Sequence, residues 1–292
     1  MAFRLKTGGH LIEQRVSDLL GVGVQRIRTL GAQHRWRTYR ATLSDGREVF
    51  VKAAASPLGA LLPTEARGLR WLGGAGHAPV PEVLGFDEST LVLRWLEAGP
   101  PDAASAERFG RDLAALHAAG ATSFGAPWPG FIASLPLDNT VGQQWPSWYA
   151  TRRLAPFLQR AADAGALSSQ DVRLIETVMT RTDELAGPAE RPARIHGDCW
   201  SGNVIWVNGQ GWLVDPAAHG GHRETDLAML DLFGAPYLDR ILAAYSEASP
   251  LTDGWKSRVP LHQLHPLLVH VCLFGSGYRG AALDAARAAL AV

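Results

Sequence analysis

The chain has 292 residues, 47% of them hydrophobic, enough to bury one large core or two smaller ones. Its 28 acidic residues balance 28 basic ones, so the Lys and Arg excess of a nucleic-acid binder is missing. Two cysteines, Cys199 and Cys272, give no disulfide framework, and there is no signal-peptide apolar region or membrane-length apolar run. The expectation is a soluble protein with no membrane partner in a reducing, cytoplasmic setting.

In chain order, Leu11, Ile12, Val16, Leu19 and Leu20 share a helical face ahead of Gly21, which predicts a short packing helix. Strands are predicted over 24–31, 36–43 and 48–53, with Asp45-Gly46 as the turn between the last two. The turn joining the first two strands holds one glycine, Gly31, and does not match G-x-G-x-x-G. Its backbone amides, with His34 or Arg35, could cradle a phosphate; equally, it reads as an ordinary hairpin. Lys52, in Val49-Phe-Val-Lys-Ala53, resembles the Val-Ala-Ile-Lys strand whose Lys contacts the α- and β-phosphates of ATP. A helix over 64–72, stopped by Gly73-Gly74, carries Glu65 where it could pair with Lys52.

A buried strand over 90–96 is broken by Ala98-Gly-Pro-Pro-Asp102, which sets a lobe boundary: 1–97 as the N-terminal lobe and 98–292 as the C-terminal lobe. Adenine is expected against the backbone from Trp95 to Glu97, in the apolar cleft between the lobes. Helices are predicted around Phe109, Leu113 and Leu116, and from the Ser168/Asp171 capping box through Leu185. Between them, 122–153 is rich in Pro and Trp, including Trp128, Trp145 and Trp148, and reads either as the wall of a substrate pocket or as packing. Helices over 225–233, 236–248, 261–274 and 281–290 complete the chain.

The densest chemistry lies in His196-Gly-Asp-Cys-Trp-Ser-Gly-Asn203, a β-rich stretch, the turn Asn208-Gly-Gln-Gly211, and Val214-Asp-Pro-Ala217. Asp198 and Asn203 are five positions apart, as in the kinase pattern H-R-D-x-x-x-x-N, and Asp215 follows twelve residues later. A hairpin between Asn203 and Asp215 would return both to one end. In phosphoryl transfer one carboxylate accepts the proton of the attacking hydroxyl, while an amide oxygen and a second carboxylate hold Mg2+. Asp198, Asn203 and Asp215 fit those roles in that order.

Together with His222-Arg-Glu-Thr-Asp-Leu-Ala228 and Phe274-Gly-Ser-Gly-Tyr278, these motifs resemble the fructosamine kinase (ketosamine 3-kinase) family. The resemblance spans most of the chain. It implies an α+β, two-lobed protein-kinase-like fold with a small antiparallel sheet in the N-lobe and a mainly helical C-lobe. It also implies an ATP- and Mg2+-dependent kinase acting on the 3-hydroxyl of ribulosamines or fructosamines, with small ketosamines and glycated proteins as partners and protein deglycation as the outcome.

Carried onto this sequence, Asp198 is the base and Asn203 and Asp215 are the metal ligands. Lys52, Glu65, Gly31, Trp95 and Glu97 serve ATP, and Trp200, Trp148 and Glu224 serve substrate. His196 and Asp226 support the catalytic loop. Departures from the family pattern are Arg94 where the hinge strand carries an acid, the altered Gly31 turn, and Cys199 in place of Leu. Competing readings are an aminoglycoside or amino-alcohol phosphotransferase and a nucleotide-binding sensor without turnover.

Overall fold

The computed structural model describes residues 3–33 and 35–291. It begins with α1 (Phe3–Leu20), which buries Ile12 and Val16 against the first strands. Then come β1 (Val24–Gln33), β2 (Trp36–Leu43), β3 (Glu48–Ala54), α2 (Leu61–Gly73), β4 (Val83–Phe86) and β5 (Thr90–Arg94). The five strands form one antiparallel sheet in the order β1-β2-β3-β5-β4. Alternation along β3 sends Val49, Val51 and Ala53 into the core under α1, and Phe50 and Ala54 to the face covered by α2. Lys52 shares that second face, which is why a strand lysine here does not meet solvent.

Several boundaries differ from expectation, two of them beside the sheet. β1 continues to Gln33 because Gly31 sits at an irregularity in the β1–β2 register, opposite Thr38, and the ladder resumes beyond it. His34 lies outside the described residues. α2 starts three residues before the expected Thr64, because Pro63 falls in its first turn, where its missing N–H leaves no helical bond unmade.

The chain leaves the sheet after Arg94 and enters α3 (Ala103–Ala118) through a capping box between Asp102 and Ser105. A hairpin of β6 (Gly130–Ile132) and β7 (Leu135–Leu137) follows, then α4 (Trp145–Tyr149), a π-helical turn (Ala150–Leu154) and α5 (Ala155–Asp163). α6 (Ser169–Thr180) starts at the capping box read from Ser168 and Asp171, and breaks at Arg181 before the short α7 (Thr182–Leu185). The motif-rich stretch that follows forms β8 (Ala193–Ile195), β9 (Val204–Val207), β10 (Gln210–Leu213) and β11 (His219–Gly221). α8 (Arg223–Leu232), α9 (Leu238–Ala248), α10 (Trp255–Phe274) and α11 (Arg279–Leu290) close the fold. α10 begins six residues before the expected Leu261 and carries Pro260 and Pro266 inside it. The Tyr149 hydroxyl inserts into its ladder, donating to the Leu261 carbonyl at 2.6 Å and accepting from the His265 N–H at 3.3 Å.

The Trp-rich insert is mostly core. Trp145 is buried, stacked on Tyr149 at 4.6 Å and on His262 at 4.7 Å. Trp148, expected at substrate, is buried against Phe124 and His219; its indole N–H donates to the Thr140 carbonyl at 2.8 Å, and Arg153 lies over its ring. Glu224, also expected at substrate, is 1% exposed. It accepts from Arg258 at 2.5 and 2.9 Å and lies 3.4 Å from His262. Both expectations are corrected: these side chains hold the C-lobe together and do not reach the cleft.

Two stability outcomes follow. Removing one partner of a buried ion pair leaves the other charge uncompensated, so Arg258→Ala is expected to cost about 3–5 kcal/mol in urea unfolding; a loss under about 1 kcal/mol would contradict the burial described. Burial also lowers the pKa values of His196, His222, His262 and His265, and brings His219 to about 3. Unfolded histidine titrates near pH 6.5, so the stability that comes with keeping these rings neutral is complete above that pH and is lost progressively below it, as the unfolded rings take up protons that the buried ones resist. The melting temperature should be flat above pH 7 and fall steeply from pH 6.5 to 5; a level curve across that window would refute the assignment.

Candidate active site

The segment after β8 is shaped by one buried carboxylate. Asp226, on the first turns of α8, is fully buried and accepts from the His196 N–H at 2.7 Å and the Gly197 N–H at 2.9 Å, with His117 Nε2 at 3.1 Å. Gly197 has a φ of 80°, and a Cβ there would meet the Ala217 carbonyl at 2.4 Å, so only glycine permits this close crossing. His196 Nε2 donates to the Val214 carbonyl at 2.9 Å, and Nδ1 accepts from the Asp198 N–H at 3.3 Å. The two catalytic segments are thereby tied to each other. Asp226 and His196 shape this loop from behind: neither lines the cavity, and both act through backbone groups.

Asn203 ends the loop in a single 3-10 turn, and its Nδ2 donates to the Asp198 carbonyl at 2.9 Å and to Asp198 Oδ2 at 3.0 Å. The hairpin of β9 and β10 pairs Val204 with Leu213, and the Val214 N–H donates to the Asn203 carbonyl at 3.0 Å, which returns Asp215 to the end where Asn203 lies. Asp215 adopts a left-handed backbone, φ 52°, uncommon for a residue with a side chain. Lys52, 4% exposed, reaches across from β3. Its ammonium donates to both oxygens of Glu65 at 2.8 Å and to Asp215 Oδ1 at 2.5 Å. Burial works against that charge, but Glu65 and Asp215 outweigh it and hold the lysine above its ordinary value. Asp198 is pushed up to about 7, first by burial and then by Asp215 and Asp226, against the Asn203 bond.

Lys52, Glu65, Asp198, Asn203 and Asp215 line one cavity of about 420 Å3. Its other walls include Phe131, Ile132 and Ala133 of the β6–β7 hairpin, inside the 122–153 insert read as either pocket wall or packing; Phe274 from the end of α10 and Trp36, whose ring lies 5.4 Å from the Lys52 ammonium, were not singled out in the sequence as walls. Trp200, expected at substrate, lines it too and is 37% exposed. A neighbouring cavity of about 370 Å3 runs along Phe50, Leu93 to Ala98, Ile205 and Val214, and shares Asp215. It contains Trp95 and Glu97, bridged by a 2.9 Å bond from the indole N–H, and Leu30, but not Gly31. Arg94 also lines it and is exposed, while Arg40 braces this segment over the Trp95 ring and 3.2 Å from Glu97. Cys199 is fully buried among apolar side chains, and burial raises its thiol well above the ordinary value. It packs and has no access to oxidants.

The largest cavity described, about 940 Å3 around Trp71, Arg194 and Arg223, holds none of the five polar residues above. Convergence of charge outranks volume here, and the chemistry is assigned to the two cavities that share Asp215.

Residues 11–291 match the family model described as fructosamine kinase. A Thermus thermophilus protein named "Probable ketoamine kinase" is 37% identical over 232 residues, covering 79% of this chain and 83% of its own. The Arabidopsis thaliana "Protein-ribulosamine 3-kinase, chloroplastic" is 31% identical over 252 residues, 82% of this chain and 76% of its own. The crystal structure of a Thermobifida fusca protein designated a fructosamine-3-kinase superposes with a TM-score of 0.94 at 55% identity, covering 96% of this chain and 99% of that one. A macrolide 2′-phosphotransferase from Brachybacterium faecium, at 17% identity and a TM-score of 0.62 over 94% of this chain and 96% of its own, shares the fold alone. With its small antiparallel sheet set on a helical lobe and its phosphotransfer motifs, the chain belongs to the fructosamine kinase family, kinases of protein-kinase-like fold.

Proposed function

We propose that the protein is an ATP- and Mg2+-dependent ketosamine 3-kinase acting on ribulosamine or fructosamine adducts, with deglycation of the amine as the outcome. The observation that carries this is the bridge from Lys52 to Glu65 and Asp215 in one cleft with Asp198. Family membership supports the kinase chemistry, and the ribulosamine and ketoamine names of relatives support the acceptor class.

Asp198 lies at the cleft floor with a proton affinity matched to neutral pH, so it can hold the acceptor hydroxyl in line and take its proton. Asn203 orients that carboxylate through Nδ2, which leaves Oδ1 as an acceptor; with the Asp215 carboxylate this makes a set of hard oxygen donors of the kind magnesium prefers. When bound, magnesium neutralises triphosphate charge. Lys52, fixed by Glu65, holds a second positive charge on the phosphate side, and the Phe50, Leu93 and Trp95 cavity offers an apolar slot for the base. We assign the boundary between the lobes to residues 97 and 98, at the edge of that slot, and a soluble, cytoplasmic protein fits this substrate chemistry.

The direct test is ATP-dependent phosphorylation of ribulose-lysine with magnesium, with kanamycin, choline and homoserine run alongside. Transfer to the ketosamine alone is expected; transfer only to another acceptor, or to none, overturns the reading. Asp198→Ala and Asp215→Ala should each lower kcat by about 10³ or more while the melting curve stays cooperative. Turnover within tenfold of the parent in either variant would remove that residue from the mechanism. Glu65→Gln should release Lys52 and raise the KM for ATP with a fall in kcat of about 10²; unchanged kinetics would reduce the Lys52–Glu65 pair to a packing feature.

A further inference from the structure

The cavity of about 940 Å3 around Trp71, Arg194 and Arg223 has no part in the chemistry assigned above, yet the elements that place the catalytic groups all reach it. α2, which carries Glu65, contributes Trp71; β8, which leads into the catalytic loop, contributes Arg194; and α8, which carries Asp226, contributes Arg223 from its first turn. Ala193 of β8 pairs with Gly221 of β11, so Arg194 and Arg223 flank one short ladder. His117 of α3 lines the same cavity, and it is the ring whose Nε2 meets Asp226 at 3.1 Å.

The charges in this wall do not cancel. Arg223 donates three bonds of 2.7 to 3.1 Å to Glu190, which matches the one carboxylate among the lining residues. Arg223 also donates to Ser249 Oγ at 2.9 Å, so the Ser249 O–H remains as a donor. Arg194 has only carbonyl partners, Trp71 at 2.6 Å and Gly120 at 3.4 Å, and lies 4.5 Å over the Trp71 ring. Burial lowers its pKa with no carboxylate to oppose the shift, although a guanidinium keeps its proton throughout. Arg191 is exposed and pairs with no carboxylate among the described residues. Two positive charges therefore line the cavity without a matching acid. Trp71 and Trp128, edge-on at 5.7 Å, add ring surface, and Thr122 and Ser123 add hydroxyls.

We propose that this cavity is a second ligand site, taking a sugar phosphate, whose occupancy braces the catalytic loop. Guanidinium forks pair two phosphate oxygens at once, which suits Arg191 and Arg194 to the phosphate. The cavity is far larger than phosphate alone requires; its hydroxyls match those of a sugar, and its ring faces match the apolar side of one. The coupling follows from position. Arg194 stands two residues before His196 and four before Asp198, so a ligand that restrains β8 restrains the segment whose His196 and Gly197 N–H groups donate to Asp226. Binding and closure of the loop then favour each other.

The test uses the full chain with Mg2+ and saturating AMP-PNP, so that the nucleotide part of the cleft is filled before titration. In calorimetry, ribose 5-phosphate should bind with a Kd of about 100 μM or tighter, and about tenfold more tightly than inorganic phosphate. Arg191→Glu, at an exposed side chain, should weaken binding at least about tenfold with an unchanged melting curve, and Arg194→Gln should do the same while it retains a donor to the Trp71 carbonyl. Hydrogen exchange of the His196 and Gly197 amides should slow about tenfold on binding, with the β1–β2 amides unchanged as the internal control. No binding, equal affinity for inorganic phosphate, or binding that survives both substitutions overturns the site; the last outcome would put the ligand in the acceptor part of the cleft. Tighter binding of AMP than of ribose 5-phosphate at the arginines overturns the sugar-phosphate class in favour of a nucleotide. Binding with unchanged exchange at His196 and Gly197 overturns the coupling. None of these measurements requires turnover, so their failure is distinct from failure of the ketosamine reading.

Discussion

One buried ammonium group ties the sheet, its helix and the Asn203–Asp215 hairpin together. Lys52 is almost wholly buried, and an isolated lysine in that position would lose its proton or unfold the sheet. It remains charged because Glu65 of α2 and Asp215 beyond β10 supply two carboxylates. Those partners lie 13 and 163 residues away along the chain, so the interaction exists only when sheet, helix and catalytic hairpin are all in place. The same desolvation that makes the group costly to bury makes its field strong where phosphate would sit.

Asp226 plays the corresponding role within the C-lobe. It accepts from two successive backbone N–H groups of the catalytic loop, and His196 then ties that loop to the strand leading to Asp215. The backbone around Asp198 and Asp215 is thus fixed from within, and the Asn203 amide and Lys52 ammonium hold the two carboxylates. Disturbing Asp226 would move Asp198 and Asp215 together.

How much of this was legible depended on whether the signal was local. The spacing of Asp198, Asn203 and Asp215, the glycine turn between β9 and β10, and the Ser168–Asp171 capping box are short-range patterns with short-range causes, and the structure brings each together as the residues suggest. Lys52 and Glu65 were legible because a strand lysine followed by a helix glutamate is a motif in its own right. Trp148 and Glu224 misled because exposure cannot be read from residue type: the carboxylate of Glu224 is matched by Arg258, 34 positions on, and the indole of Trp148 by Arg153 in the following π-helical turn. The β6–β7 hairpin has strands of three residues, too short to show a period, so the 122–153 insert could be read as a pocket wall without Phe131 and Ala133 being picked out of it. α10 was shortened in the reading because Pro260 interrupts its helical signature, although its neighbours hold it helical.

Cys199 occupies a fully buried position one residue from Asp198, whereas Cys272 is only half-buried. Any reagent that modifies Cys199 in the folded protein must wait for the catalytic loop to open. The chain therefore carries its own clock: the slower of its two thiol labelling rates measures how often that loop breathes, and ligands that close the cleft should slow it without any engineered probe.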